Sequence, residues 1–438
     1  MSNWQKVKIG DFLFERKGRY KPNYEQIVNL PRIEKIDFSG NFHIGNKDSK
    51  TDMILIKDGD LVISGINVAK GAMGIYSGED VTATIHYSSY TFDSNKINVE
   101  YFKRFLKSSE FIELLNEQVK GGIKTEIKPK HILPLEIQLP DINTQAQIVQ
   151  HFENVEDDIA DVTQEVLTGQ SLLKQLKQTI LQEAIEGKLT EKWRAKNPDI
   201  GTAKKLLEQI KTEKEKLIKE KKIRPSKPLP PINEDEIPFD IPQNWEWCRL
   251  GDISFVGTGA TPLTSEPKYY NGDINWITSS ATGADFVTEA ETKITELALK
   301  ETNCQIYPIG TLVIAMYGQG KTRGQITELM IDSATNQACA AISIYLKDKA
   351  LNQFIKKYFQ KIYLEIRELA SGGAQPNLNM QKVKDTMIAL PPLEEQKEIV
   401  ATIEKLFTLC NELESEINQN KTTVDNLMVT VLKESFEN

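Results

Sequence analysis

Apolar residues at Ile148, Phe152, Val155, Ile159, Val162, Val166, Leu173, Leu176 and Ile180 follow one another in steps of four and three, broken only where Gly169 stands in the next apolar slot. A period of 3.5 predicts a helix from Thr144 to about Glu183 that lays one narrow stripe on a partner helix. The partner is in the same chain. At a constant step of 251 residues the series returns as Ile399, Ile403, Leu406, Cys410, Leu413, Ile417, Val424, Leu427 and Val431, with Asn420 in the slot of Gly169. About forty residues rising about 1.5 Å each make a rod of roughly 60 Å. Two like helices, each following a globular stretch, close most simply as an antiparallel, pseudo-two-fold pair. A helical hairpin inside a single enzyme core is the competing arrangement, and the repeat disfavours it.

The repeat reaches beyond the helices. Trp4-Gln-Lys-Val-Lys-Ile-Gly-Asp11 is answered by Trp245-Glu-Trp-Cys-Arg-Leu-Gly-Asp252 at a step of 241, and loop insertions then bring the step to 251. At that step Gly59-Asp-Leu-Val-Ile63 matches Gly310-Thr-Leu-Val-Ile314, Lys70 matches Lys321, Gly121-Gly122 match Gly372-Gly373, and Leu139-Pro140 match Leu390-Pro391. Within the first copy, Met53 to Ile56, Leu61 to Ser64, Tyr87 to Phe92 and Leu135 to Leu139 read as strands. One helix carries Tyr101, Phe102, Phe105, Leu106, Ile112, Leu115 and Val119 and stops at the glycine pair. The second copy repeats this order with strands at Thr311 to Tyr317 and Ala340 to Leu346 and a helix at Leu351 to Leu369. The expected fold is therefore α+β: tandem repeated α/β domains at 1–143 and 245–392, and long helices at 144–185 and 393–438. Residues 186–244 have no counterpart; Lys204 to Arg224 reads as a charged helix, and Pro225 to Pro242 as an extended, proline-rich connector.

A chain of 438 residues is too long for one core. Apolar residues at 39% and charged residues at 26% fit folded globular domains, and no run approaches the roughly eighteen apolar residues of a membrane span. The start has no apolar leader segment, so a cytoplasmic protein without membrane contact is expected. Cys248, Cys304, Cys339 and Cys410 share no ligand-like spacing with one another or with His43, His86, His131 and His151, so no metal is expected. A net charge of −8 argues against indiscriminate coating of polyanions, though a basic face can sit on an acidic molecule.

The whole chain resembles the specificity subunit of a type I restriction-modification system. The resemblance rests on the repeated Trp-x-x-x-x-Leu/Ile-Gly-Asp opening and on Leu-Pro-x-x-x-x-Gln before each long helix (Leu139 to Gln145, Leu390 to Gln396). It rests also on Ala184-Ile-Glu-Gly-Lys-Leu-Thr-Glu-Lys-Trp-Arg194, on Pro228-Leu-Pro-Pro231 and on Ala334-Thr-Asn-Gln-Ala-Cys-Ala340. It implies two target-recognition domains, each reading one half of a split, asymmetric double-stranded DNA sequence, on helices that fix the gap between the halves. It implies docking of two modification (methyltransferase) subunits and, through them, of the restriction subunits. It implies no catalysis and no cofactor in this chain; S-adenosylmethionine, ATP and Mg belong to the partner subunits. A catalytic DNA methyltransferase, and an orphan DNA-binding or coiled-coil scaffold protein without restriction partners, are the rival readings.

Two segments imitate enzyme motifs. Phe255-Val-Gly-Thr-Gly259 has the outline of a loop for S-adenosylmethionine, but Pro262 follows closely and no Asn/Asp-Pro-Pro-Tyr/Phe motif accompanies it, so a turn is expected. Gly318-Gln-Gly-Lys-Thr322 has the ending of a P-loop, but a β-type run at Gln325 to Ile331 follows where a helix N-terminus would hold phosphate. A hairpin loop is expected there, and Tyr317, Gln319, Lys321, Thr322 and Arg323 are residue types that reach base edges and phosphates. Lys70, the match of Lys321, is its counterpart in the first copy. The other candidate DNA contacts flank the glycine pairs: Lys120, Lys124, Lys128 and Lys130 in the first copy, Gln375, Asn377 and Asn379 in the second. Lysines suit phosphates and the amides suit adenine. Tyr20, Tyr24, Tyr269 and Trp276 are aromatics that either stack or pack, and Trp4 and Trp245 are expected in the core.

Overall fold

A computed structural model of the chain describes residues 4–46, 49–67, 71–118, 127–318, 322–371 and 378–436. The first copy runs β1 (Gln5–Lys8), β2 (Leu13–Glu15), β3 (Arg32–Ile36), β4 (Phe42–Gly45), β5 (Met53–Ile56), β6 (Leu61–Ser64), β7 (Met73–Ile75), β8 (Val81–Thr84) and β9 (Tyr87–Phe92). Then come α1 (Val99–Phe105), α2 (Ser109–Gln118), α3 (Pro129–Ile132), β10 (Glu136–Leu139) and the long α4 (Ile142–Ile185). The insert supplies α5 (Glu191–Lys196) and α6 (Ala203–Lys219). The second copy opens with β11 (Glu246–Arg249), α7 (Leu250–Ile253), β12 (Ser254–Thr258), β13 (Tyr270–Ile277), β14 (Phe286–Val287), β15 (Thr292–Ile294) and α8 (Glu296–Glu301). It continues through β16 (Ile306–Tyr307), β17 (Leu312–Ala315), β18 (Ile326–Leu329), β19 (Ser333–Thr335), β20 (Cys339–Ile344), α9 (Lys349–Ser371), α10 (Met380–Asp385), β21 (Met387–Leu390) and α11 (Leu393–Phe436).

The repeat seen in the residues is a repeat of topology. Sheet order β2-β9-β6-β7 returns as β12-β20-β17-β18, with β14 added at its edge; β4-β3-β8-β5 returns as β15-β13-β19-β16; and β1-β10 returns as β11-β21. Even register is kept, Gln5 lying opposite Leu139 as Glu246 lies opposite Leu390.

Contacts divide the chain into one unit of residues 1–168 with 417–438 and another of residues 169–416. In the first, Phe12, Leu61, Ile63, Phe102, Phe105 and Phe152 share one apolar core, with Phe12 edge-on to Phe102 at 5.3 Å. In the second, Tyr307, Val313, Leu329 and Ala341 share an apolar cluster, in which Tyr307 and Val313 stand at the positions of Ile56 and Val62 in a second cluster of the first unit. Helix α4 gives its first part to the first unit and its last part to the second, whereas α11 does the reverse. Within each unit the long helices therefore meet antiparallel: Phe152 shares a core with Val431 in one, and Lys177 Nζ pairs with Glu414 at 2.7 Å in the other.

Of the heptad positions, Phe152, Val166, Leu173, Ile180, Ile399, Ile403, Cys410 and Val431 are buried, and Ile148, Val155, Ile159, Leu406, Ile417 and Val424 are half-buried. Val162, Leu176, Leu413 and Leu427 stay exposed, while Val149 and Leu181 beside the series are buried. The buried stripe drifts off the heptad because a straight α-helix turns slightly too little per residue to keep a 3.5 period in register.

The sequence motifs before the long helices have a plain structural use. Gln145 donates to the Pro140 carbonyl at 2.8 Å and accepts from the Asn98 amide at 2.8 Å, and Gln396 donates to the Pro391 carbonyl at 2.8 Å. Each glutamine thus ties the chain entering its helix. Beside it the buried carboxylate of Glu395 accepts from Thr190 Oγ1 at 2.8 Å, Trp245 Nε1 at 2.9 Å and the Arg194 guanidinium, which joins both ends of the insert to the start of α11.

Two further expectations differ from the structure. The single helix expected across Tyr101 to Val119 is broken after Phe105, and Ser108 Oγ accepts from the Phe111 amide at 3.3 Å to start α2 afresh. Residues 255–258 are not a turn but belong to β12, paired with β20.

Candidate nucleic-acid interface

In the first copy the chain leaves β2 through Glu15-Arg16-Lys17-Gly18-Arg19 and lines a cleft of about 330 Å³. The β8–β9 turn contributes His86, and the start of α3 contributes Lys128. Gly18 has φ +141°, a conformation that side-chain-bearing residues rarely adopt, so the backbone can kink there between two cations. Lys17 and Arg19 are exposed, and neither has a carboxylate partner among the described residues. Arg16 differs. Its Nε and Nη2 donate to Asp60 at 2.6 and 2.7 Å, and these hydrogen bonds hold the guanidinium above its ordinary pKa. Asp60 also accepts from Ser89 Oγ at 2.7 Å and the Lys57 amide at 3.0 Å. The pair anchors one end of a short basic segment whose other cations face solvent, an arrangement that suits phosphate oxygens.

The second copy places different chemistry at the equivalent positions. The step of 241 takes Lys17 to Thr258 and Arg19 to Ala260, and the step of 251 takes His86 to Gln337 and Lys128 to Asn379. Thr261 Oγ1 donates to Gln337 Oε1 at 2.6 Å, so that amide is oriented by a neighbour. Asn379 caps α10, its side chain accepting from the Lys382 amide at 2.9 Å, which leaves its amide nitrogen as the donor it can offer elsewhere. The expected hairpin is present: β17 and β18 pair antiparallel, with Leu312 opposite Glu328. A strand follows the glycine loop, so it lacks the helix N-terminus of a phosphate-binding P-loop. The hairpin carries Tyr317, 47% exposed, with Thr322 and Arg323 half-buried on its return side. Arg323 Nε is buried with no hydrogen-bond partner among the described residues.

The remaining candidates separate. Lys130 is exposed on α3 but is not a wall of the basic cleft. Lys70, Lys120, Lys124, Gln319, Lys321, Gln375 and Asn377 lie outside the described residues. Trp276 is buried and bonded to the Ala260 carbonyl at 3.0 Å, while Tyr20 and Tyr24 pack on each other at 5.5 Å. On α6, Ala203, Leu206 and Ile210 are buried while Lys204, Lys205 and Lys211 are solvated. The residues missed in the sequence are Arg16, Lys17 and Arg19. Their signal was a basic run around one glycine, outweighed by the larger lysine cluster near Gly121. Among the described residues no group of His, Cys, Asp and Glu could hold a metal ion, and no helix is long and apolar enough to cross a membrane.

Residues 242–420 match the family model for the type I restriction modification DNA specificity domain. The chain is 26% identical to the EcoAI type I restriction enzyme specificity subunit of Escherichia coli over 90% of its own length and 75% of that subunit. It is 27% identical to the EcoEI specificity subunit of Escherichia coli over 63% of its length, a match that spans about half of that relative (47%). Among solved structures, the HsdS subunit from Thermoanaerobacter tengcongensis shares the fold with a TM-score of 0.60 at 15% identity, covering 99% of this chain and 96% of that one. A chain from a structure of the type I R-M system in complex assembly and conformational transition has a TM-score of 0.63 at 15% identity, covering 99% and 97%.

Proposed function

We propose that the chain is a specificity subunit of the type I restriction-modification family that it matches, the non-catalytic DNA-recognition part of such an enzyme. In this reading residues 1–143 and 245–392 are recognition domains. Each reads one half of a bipartite, asymmetric duplex target, and the helices at 144–185 and 393–438 set the number of unread base pairs between halves. Residues 186–244 connect the two. The observation that carries the reading is the repeat itself: one topology occurs twice, with Lys17, His86 and Lys128 in one copy where the other has Thr258, Gln337 and Asn379. Two heads that hold the same frame but offer different groups are what an asymmetric target needs.

Phosphate contacts from Lys17, Arg19, Lys128 and Lys130, with Lys70, Lys120 and Lys124, set position on the first half-site. Tyr317, Gln319, Lys321, Thr322 and Arg323, with Gln375, Asn377 and Asn379, serve the second. The exposed apolar residues Val162, Leu167, Leu172 and Leu176 on α4, with Leu409, Leu413 and Leu427 on α11, support docking of two modification subunits on the long helices. Restriction subunits join through that assembly, and S-adenosylmethionine, ATP and Mg act in the partners, in the cytoplasm. The test is co-expression with the cognate methyltransferase followed by mapping of methylated bases in the cell's DNA. A split, asymmetric motif that disappears without this chain supports the reading; no association and no motif would return the scaffold alternative.

A further inference from the structure

The insert folds back on the second copy and, within that unit, borders two adjoining chambers of about 550 and 450 Å³ that share Arg224, Phe255 and Tyr345. Both volumes fall in the range of small-ligand pockets, roughly 300 to 1,000 Å³. Their walls differ. Leu217, Ile223, Phe255, Ile306 and Pro308 make the larger chamber mainly apolar, with Lys347 at its side. Lys214, Arg224, Lys227 and Lys384 make the smaller one basic, against the single carboxylate of Asp252. Among the described residues none of Lys214, Arg224, Lys227, Lys347 and Lys384 has a carboxylate partner, although the chain as a whole carries an excess of eight negative charges. Between the chambers stands Tyr345, 94% buried (6% exposed), with Lys214 Nζ 5.2 Å over its ring and no hydrogen-bond partner for its hydroxyl among the described residues.

Clustered, unneutralised cations select an anion, and an apolar chamber beside them with a half-buried phenyl ring selects a planar apolar group joined to that anion. We propose that this two-chamber cleft is a nucleotide-binding site, with the base in the chamber of Phe255 and Ile306 and the phosphates on Arg224, Lys227 and Lys384. Tyr345 donates its hydroxyl at the junction, and Arg224 closes the same junction from the insert. The site shares no lining residue with the basic segment or the hairpin assigned to duplex DNA, and its chemistry is the same whether the nucleotide is free or is the end of a single strand.

The experiment is calorimetric titration of the full chain with ATP, AMP, inorganic triphosphate, a short oligothymidylate and hexaglutamate. ATP is expected to bind more tightly than AMP and more tightly than triphosphate. Arg224→Ser, at an exposed position without a side-chain partner, should weaken ATP about tenfold, and Tyr345→Phe about threefold. Both variants should keep the wild-type thermal transition and the wild-type affinity for duplex DNA. An oligonucleotide that binds as tightly as ATP and is displaced by it identifies a strand end as the source, and one that binds weakly identifies the free nucleotide. Absence of ATP and oligonucleotide binding, insensitivity to Arg224→Ser, or hexaglutamate or triphosphate binding as well as ATP would overturn the proposal. Duplex affinity is measured separately, so failure here leaves the DNA-recognition reading standing, and the reverse.

Discussion

Arg16 and Asp60, 44 residues apart in sequence, meet in a two-point ion pair at 2.6 and 2.7 Å, and Asp60 is sealed from solvent. The second copy has Gly257 and Thr311 at these positions, so the clamp belongs to the first head alone. Replacing Arg16 by Ala leaves a buried carboxylate with only Ser89 and a backbone amide as donors. The expected loss is about 3 kcal/mol in the first unit, read as a lower midpoint for one of two denaturation transitions while the other stays in place.

Glu395 makes a matching prediction for the second unit. It is fully buried and holds Thr190, Arg194 and Trp245 at once. Glu395→Ala should cost about 3–5 kcal/mol by stranding the Arg194 charge and the indole donor, and limited proteolysis should then cut the insert first. An unchanged cleavage pattern would show that the insert is held elsewhere.

The basic segment of the first head is expected to act through counterion release. Replacing Lys17, Arg19 and Lys128 together by Ser should weaken duplex binding at every sequence tested. It should also reduce the slope of log affinity against log salt by about two to three. A changed sequence preference with an unchanged slope would assign these side chains to base edges instead.

In acid the turn between β3 and β4 should open on its own. Asp37 accepts from the Asn41 and Ser39 amides at 2.9 and 3.0 Å, and these bonds, that from Asn41 first, hold its carboxyl down to about 2. Because the folded value is the lower one, the stabilisation is complete above the ordinary aspartate range and is lost as pH falls through about 2. Protection of the Asn41 amide from hydrogen exchange, relative to its intrinsic rate at each pH, should fall in that window and stay constant above it.

Much of this frame was legible because its signals are local and repeated. Strands such as β5, β6 and β9 are short β-branched and apolar runs bounded by turn residues, and the long helices announce themselves by period. What stayed hidden depends on approach in space. Gly257 and Gly259 suggest a turn, yet a Cβ at Gly257 would sit 2.5 Å from Tyr307 Oη and one at Gly259 would collide with the Thr335 carbonyl. Gly257 lies in a strand, and Gly259 directly after it, packed too closely for side chains. The Arg16–Asp60 pair spans residues that no local pattern connects, and the break between α1 and α2 follows a serine cap inside an otherwise continuous apolar face. The exposure of Val162 and Leu413 reflects a stripe that drifts, which a strict heptad count does not register.

The long helices carry a length prediction. Removing seven matched residues from α4 and α11, on either side of Gly169 and Asn420, keeps the seam in phase and shortens each helix by about 10 Å. At about 3.4 Å per base pair the preferred spacer between half-sites should shrink by about three base pairs while both half-sites stay the same. A spacer that does not move would mean that the helices do not set the gap.

One half-site per copy is tested most directly by the methylated motif in cells whose chain has residues 1–143 exchanged for the matching segment of a type I specificity subunit, alongside the cognate methyltransferase. One half of the motif should change while the other half and the spacer persist. A motif altered in both halves, or in neither, would contradict the division of recognition between the two copies.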